Sequence, residues 1–129
     1  MRNNNGANIL VVDDEEGMRL GLTKILEKEG YRVTTAANGE KALNLMERIS
    51  FDLVISDLKM PKYSGIELLK TINKINTGSP LIIITAYASL ESAIEAIKER
   101  ADDYLVKPFG REELVNTVRR VIEKRKKEE

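Results

Sequence analysis

The chain has 129 residues, 21 basic against 21 acidic, with no cysteine and no histidine. Disulfides and thiolate chemistry are excluded, and without histidine any group transfer must run on carboxylates, lysine, hydroxyls or a group brought by a partner. Balanced charge gives no global field toward nucleic acid or a membrane, so neither is expected as a direct partner. The length fits one domain able to bury a core without staples. Residues 1–7 are polar and expected to be disordered; they lack the apolar centre of a signal peptide, and no apolar run approaches a membrane span, so a cytoplasmic location is expected.

Five short apolar runs then alternate with five segments of helical period. Ile9-Leu10-Val11-Val12 is a strand closing on Asp13-Asp14. Up to Glu29 a helix carries Met18, Leu22, Ile25 and Leu26 on one face and stops at Gly30, a natural residue for a left-handed cap. Tyr31–Ala36 alternates in character, which suits an edge strand. Asn38 is the expected cap of a second helix with Ala42, Leu45, Met46 and Ile49 inward.

Leu53–Ser56, closing on Asp57, and Leu81–Ile84, closing on Thr85, are continuous apolar runs, as expected of strands covered on both faces. Between them a polar loop ends near Gly65, and a third helix turns Leu69, Ile72 and Ile75 inward. Ser89 opens a fourth helix with Leu90, Ala93, Ile94 and Ile97 as its stripe, and Tyr104–Val106 is the last strand, followed by Lys107. After Gly110 a fifth helix buries Leu114, Val118, Val121 and Ile122. Residues 124–129 are charged without apolar spacing and read as a frayed tail or the start of a linker, leaving 8–123 as the domain.

The pattern is (βα)5, an α/β fold with a doubly wound parallel five-stranded sheet. Such sheets bind ligands beyond the carboxyl ends of their strands, where Asp13, Asp14, Asp57, Thr85 and Lys107 all fall. One Asp at a strand end is an ordinary helix cap. Three together repel, and need a divalent cation or a transferred cationic partner to compensate them. Hard oxygens from one or two carboxylates, waters and a phosphate suit Mg²⁺, with Lys107 and the Thr85 hydroxyl to meet phosphoryl oxygens. One carboxylate then serves as nucleophile, forming an acyl phosphate.

Residues in this order resemble the receiver domain of two-component response regulators over about Ile9 to Ile122. The resemblance rests on Asp13-Asp14, on Asp57 with Met60-Pro61 and Gly65, on Thr85-Ala86, and on Asp102-Asp103-Tyr104-Leu105-Val106-Lys107-Pro108-Phe109. It implies the flavodoxin-like strand order 2-1-3-4-5, and Asp57 as the acceptor of a phosphoryl group from a histidine kinase. It implies Asp14 as direct Mg²⁺ ligand, Asp13 as the acid reaching the metal through water, and the Lys59 backbone carbonyl as a further ligand. Thr85 and Tyr104 are similar to the switch pair, Lys107 to the phosphate-binding lysine, and Lys107-Pro108 to a cis peptide. A receiver catalyses only its own phosphorylation and dephosphorylation, and phosphorylation remodels the face of the fourth helix, fifth strand and fifth helix. That face binds an output domain, absent from this sequence, or a second copy as a phosphorylation-dependent homodimer. The wording Asp14-Glu15-Glu16-Gly17-Met18-Arg19 looks most like receivers of sigma-54 (NtrC-like) activators, so the output expected is transcription.

Two rivals are a haloacid-dehalogenase-like phosphatase, with Asp13 as nucleophile and Glu15 as acid/base, and a flavodoxin-like FMN module, whose flavin phosphate the acids at Asp13–Glu16 would repel. Arg100 departs from the family, which often has Gly there. Lys59 and Tyr87 stand at variable positions flanking the pocket, where charge and bulk govern water access to the acyl phosphate. Lys59→Ala and Tyr87→Ala are predicted to change the phosphoryl lifetime; unchanged decay of the phosphorylated protein in both would remove that role.

Overall fold

The computed structural model describes residues 6–58, 65–75, 78–86, 95–96 and 101–128. They form strands β1 (Asn8–Val12), β2 (Arg32–Ala36), β3 (Leu53–Asp57), β4 (Leu81–Thr85) and β5 (Asp103–Val106). Helices α1 (Glu16–Lys28), α2 (Gly39–Arg48) and α3 (Gly65–Ile75) intervene, and a C-terminal helix (Arg111–Glu128) follows β5. Of the fourth helix expected from the sequence, Glu95 and Ala96 are described, and both are helical. Ser89, Leu90, Ala93, Ile94, Ile97 and Arg100 lie outside the described residues.

All five strands pair in parallel in the order β2-β1-β3-β4-β5. The chain moves from β1 to β2 on one side and then to β3 on the other, so the strand order reverses between β1 and β3. A crevice at the carboxyl edge opens at such a reversal. β2 takes an edge, as its mixed pattern implies, whereas every residue of β3 and β4 is buried.

Period-two alternation divides the apolar residues between two cores. Ile9, Val11, Leu53, Ile55, Ile82, Ile84 and Leu105 face one side, under Leu22 and Leu26 of α1 and Leu114, Val118, Val121 and Ile122 of the C-terminal helix. Leu10, Val12, Val54, Leu81 and Ile83 face the other, under Ala42 of α2 and Leu68 and Leu69 of α3, with Ala96 added. Because α1 and the C-terminal helix share one face and α2 and α3 the other, the sheet is doubly wound.

Local chemistry explains where helices begin and stop. Gly30, at φ 95°, ends α1: the Gly30 N–H donates to the Glu27 carbonyl and the Tyr31 N–H to the Leu26 carbonyl, while Tyr31 joins Leu26 in the core. Asn38 caps α2, its side-chain oxygen accepting the Lys41 N–H at 2.8 Å. Ile49 departs from expectation. The α2 helix ends before it, its backbone turns extended, and its side chain is 37% exposed rather than inward. The C-terminal helix does not fray at residue 124 but continues to Glu128, because Arg125 folds back to donate to the Phe51 carbonyl at 3.3 Å and to Asp52 at 2.9 Å.

Gly21 lies inside α1, and a Cβ added there would meet no atom within 4 Å. Glycine costs a helix interior about 0.8–1 kcal/mol against alanine. Gly21→Ala is therefore expected to raise unfolding free energy by roughly 0.5–1 kcal/mol in urea titrations.

Candidate functional site

Register carries the site together. Val12 pairs with Ser56, so Asp13, one residue past β1, lies beside Asp57 at the end of β3. Asp57 pairs with Ile84 and Thr85 with Val106, which puts Thr85 and Lys107 next along the same edge. The ladder runs on beyond the last pairs: the Leu58 N–H donates to the Ile84 carbonyl at 2.8 Å and the Lys107 N–H to the Thr85 carbonyl at 2.7 Å.

Asp13, Asp14 and Asp57 each offer a carboxylate oxygen, and these oxygens lie within 4.8 Å of one another. Asp13 is fully buried, Asp57 is buried and Asp14 is exposed. The Lys107 ammonium stands 2.9 Å from Asp57 Oδ2, 3.4 Å from Asp13 Oδ2 and 3.9 Å from Glu15 Oε1. Its peptide bond to Pro108 is cis. Among the described residues one lysine stands against three acids, which leaves these groups short of positive charge. Burial pushes the Asp13 carboxyl up to about 6; the hydrogen bond from the Glu15 amide and the Lys107 charge pull it down only in part, and Asp57 adds to the rise. Partial burial alone would lower Lys107, but its hydrogen bond to Asp57 and the charges of Asp13 and Asp57 outweigh that and raise it.

Asp13 also does the commonplace work of a strand-end aspartate, since its Oδ1 accepts the Glu15 N–H at 2.9 Å at the entry to α1, where Glu15 itself makes no side-chain cap. Sequence reasoning gave Arg19 no place at the site. Its guanidinium donates to the Asp13 carbonyl at 2.7 Å and fixes the backbone under the cluster. A cation just inside a helix N-terminus opposes the macrodipole, and that misplacement was the available signal. Thr85 is fully buried at the end of β4. Tyr104 pairs with Ile83, two residues earlier, and packs half-buried on the second core, so Thr85 and Tyr104 share a face of the sheet. Lys59, Met60, Pro61 and Tyr87 lie outside the described residues.

A hard-oxygen cluster at the switch point of a doubly wound parallel sheet, with a lysine reaching into it, is a donor set that could hold a divalent cation. The donor set and the shortfall of positive charge both fit such an ion. The chain belongs to the response regulator receiver domain family, whose model matches residues 9–119. It is 44% identical to the transcriptional regulatory protein ZraR of Klebsiella oxytoca over 110 residues, 85% of this chain and 25% of that protein. It is similar in structure to a CheY-like receiver domain from Methanospirillum hungatei JF-1, with TM-score 0.91 and 34% identity over 95% of this chain and 98% of that one. It is also similar to the Thermotoga maritima response regulator TrrA, a structure in complex with Mg²⁺-BeF, with TM-score 0.81 and 40% identity over 89% of this chain and 98% of that one. The chain spans about a quarter of the length of the curated relatives it matches. It is thus a receiver domain of the two-component type, and neither the phosphatase nor the flavin reading finds support. No described helix is long and apolar enough to cross a membrane.

Asp13 gives a stability prediction for the metal-free domain. Between its ordinary 3.8 and about 6, the folded protein holds a proton that the unfolded chain has released. Stability from this group is therefore present below pH 4 and lost as the pH rises through about 6. Asp13→Asn is expected to stabilise the metal-free domain by on the order of 2 kcal/mol at pH 7.5 and by little at pH 4. Thermal melts of both proteins in chelator across pH 4–8 test this; an equal gain at both ends would refute it.

Proposed function

We propose that the domain accepts a phosphoryl group on Asp57 from the phosphohistidine of a histidine kinase and converts it into a change of binding surface. The observation that carries the reading is the Lys107 ammonium at 2.9 Å from Asp57 Oδ2, with the Asp13 and Asp14 carboxylates beside it. An Asp57 oxygen forms a bond to phosphorus as the bond from phosphorus to the donor's imidazole nitrogen breaks. The imidazole leaves with that electron pair and takes up a proton from water. Lys107 and the Thr85 hydroxyl meet the phosphoryl oxygens, offsetting charge that would otherwise repel the carboxylate nucleophile.

Asp57, Asp14, the Lys59 carbonyl and, through water, Asp13 are the residues that would hold Mg²⁺. When bound, the ion supplies neutralisation of the phosphoryl charge. In the reverse sense water attacks phosphorus, its bond to Asp57 breaks, and phosphate leaves with the carboxylate regenerated. No separate substrate is turned over, which is why the chain is a phosphoacceptor rather than an enzyme in the usual sense. The donor's histidine accounts for a reaction site built without one.

The Thr85 hydroxyl turning toward the phosphoryl group and Tyr104 moving further inward form the switch, which remodels the face of the fourth helix, β5 and the C-terminal helix. The phosphoryl group favours the active state only by as much as it contacts that state better. The remodelled face engages an output module or a second copy as a homodimer, and the name of ZraR supports a transcriptional output. The domain is taken to run from Ala7, buried in the first core, to the end of the C-terminal helix at Glu128, which Arg125 ties to Asp52.

Intact-mass measurement after treatment with acetyl phosphate and Mg²⁺ is expected to give one phosphoryl adduct on the wild type and none on Asp57→Asn. Lys107→Ala is expected to keep the fold, by circular dichroism, and to lose most of the signalling response. An adduct on Asp57→Asn would overturn the acceptor assignment.

A further inference from the structure

Among the described residues the buried charged residue outside the acid cluster is Glu29, just past the end of α1 and 8% exposed. A carboxylate there stands at the negative end of the helix dipole with most of its water removed, a position that calls for cations beside it. Two stand there. Arg111, the first residue of the C-terminal helix, donates to Glu29 Oε2 at 3.0 Å, and the Arg119 guanidinium lies 3.5 Å from Oε1. One oxygen for each arginine fixes both where that helix begins and how it lies on α1.

The start of the helix also ends the loop that carries Lys107. Toward its beginning this loop is held by the Lys107 N–H on the Thr85 carbonyl, and Phe109 rests on the first core. Along its side a groove of about 620 Å³ opens between it and α1, lined by Gly17, Gly21 and Ile25 of α1 and by Lys107, Pro108 and Phe109. A loop with open space beside it takes its position from its ends. We infer that Glu29 is a positioning residue for Lys107, setting through Arg111 how far the ammonium reaches toward Asp57 and Asp13. The inference deepens the receiver reading and rests on it for the role of Lys107, though not for the placement of the loop.

Arg125 supplies the control, because its pair with Asp52 holds the same helix near the start of β3, at the opposite edge of the sheet from the acids. Glu29→Ala, Arg111→Ala and Arg125→Ala are compared by thermal melting, by amide and lysine ammonium NMR signals, and by the Mg²⁺ concentration that half-saturates adduct formation from acetyl phosphate. All three variants are expected to melt lower. Only Glu29→Ala and Arg111→Ala should shift the Lys107 and Phe109 signals and raise the Mg²⁺ requirement, by roughly tenfold, the lower end of the loss seen when an outer support of a metal site is removed. Glu29→Gln, whose single amide oxygen can still accept from Arg111 but not from Arg119 as well, should recover part of the NMR shift. Signals at Lys107 and Phe109 that stay unmoved in Glu29→Ala, or move equally in Arg125→Ala, would overturn the inference. A wild-type protein forming no adduct would instead overturn the receiver reading, and the NMR comparison would still decide where Glu29 acts.

Discussion

Among the described residues Lys107 is the ammonium set against carboxylates from the ends of two strands, 2.9 Å from Asp57 and 3.4 Å from Asp13. At 4.8 Å two like charges repel by roughly 3–4 kcal/mol with an effective dielectric near 20, a value suited to a partly buried site. Water screens Asp14, which is exposed, but not Asp13, which is fully buried: loss of water raises its carboxyl most, and the Asp57 charge adds to the rise. Lys107 offsets part of this, and although burial would lower it, its bond to Asp57 and the charges of Asp13 and Asp57 raise it. What remains is an excess of negative charge that a divalent cation and a phosphoryl group together can enter. A fully paired cluster would be more stable and would bind neither.

The rest of the fold keeps these groups apart by fixed amounts. Parallel pairing sets Asp57 against Ile84 and Val12 against Ser56, and a slip of one residue would send every side chain of the strand to the wrong core. With β3 and β4 buried along their whole length, such a slip is expensive, and the carboxylates inherit the rigidity of the sheet. Strand order contributes the remainder: reversal between β1 and β3 leaves no crossover helix above the gap, so the acids face an opening instead of a core.

Signals carried by one or two neighbouring residues were legible in the sequence. Gly30 stops α1 because only glycine takes a φ of 95° readily, Asn38 caps α2 by a bond three residues away, and the unbroken apolar runs of β3 and β4 announce central strands. The strand-end acids and Lys107 were legible as a set, since the edge of a parallel sheet gathers whatever ends its strands. Long polar reaches were not. Arg19 on the Asp13 carbonyl, Glu29 between Arg111 and Arg119, and Arg125 on Asp52 join residues 6, 82 and 73 positions apart, the last across the whole domain, and nothing in hydrophobic period records them. Ile49 failed for the opposite reason. Its spacing continues the stripe of α2, but the helix ends at Arg48, so periodicity had no helix left to act on.

The two edges of the sheet differ in how completely their charges are matched, although the chain as a whole is neutral. At the amino-terminal edge Asp52 accepts the Asn8 N–H at 2.8 Å and pairs with Arg125, while its own N–H donates to the Asn8 carbonyl. Those bonds tie the starts of β1 and β3 to the last turns of the C-terminal helix, and they let a highly charged segment that would fray in isolation stay helical. At the carboxyl edge three acids share Lys107, and the polar groups nearby serve to place them: the Arg19 guanidinium on the Asp13 carbonyl, the Glu15 amide on the Asp13 carboxylate. The amino-terminal edge ties the scaffold together, and the carboxyl edge gathers the acids around Lys107. The C-terminal helix is gripped by ion pairs from its first residue, Arg111 on Glu29, and in its last turns, Arg125 on Asp52, so any movement of the loop bearing Lys107 has a rigid element to act on.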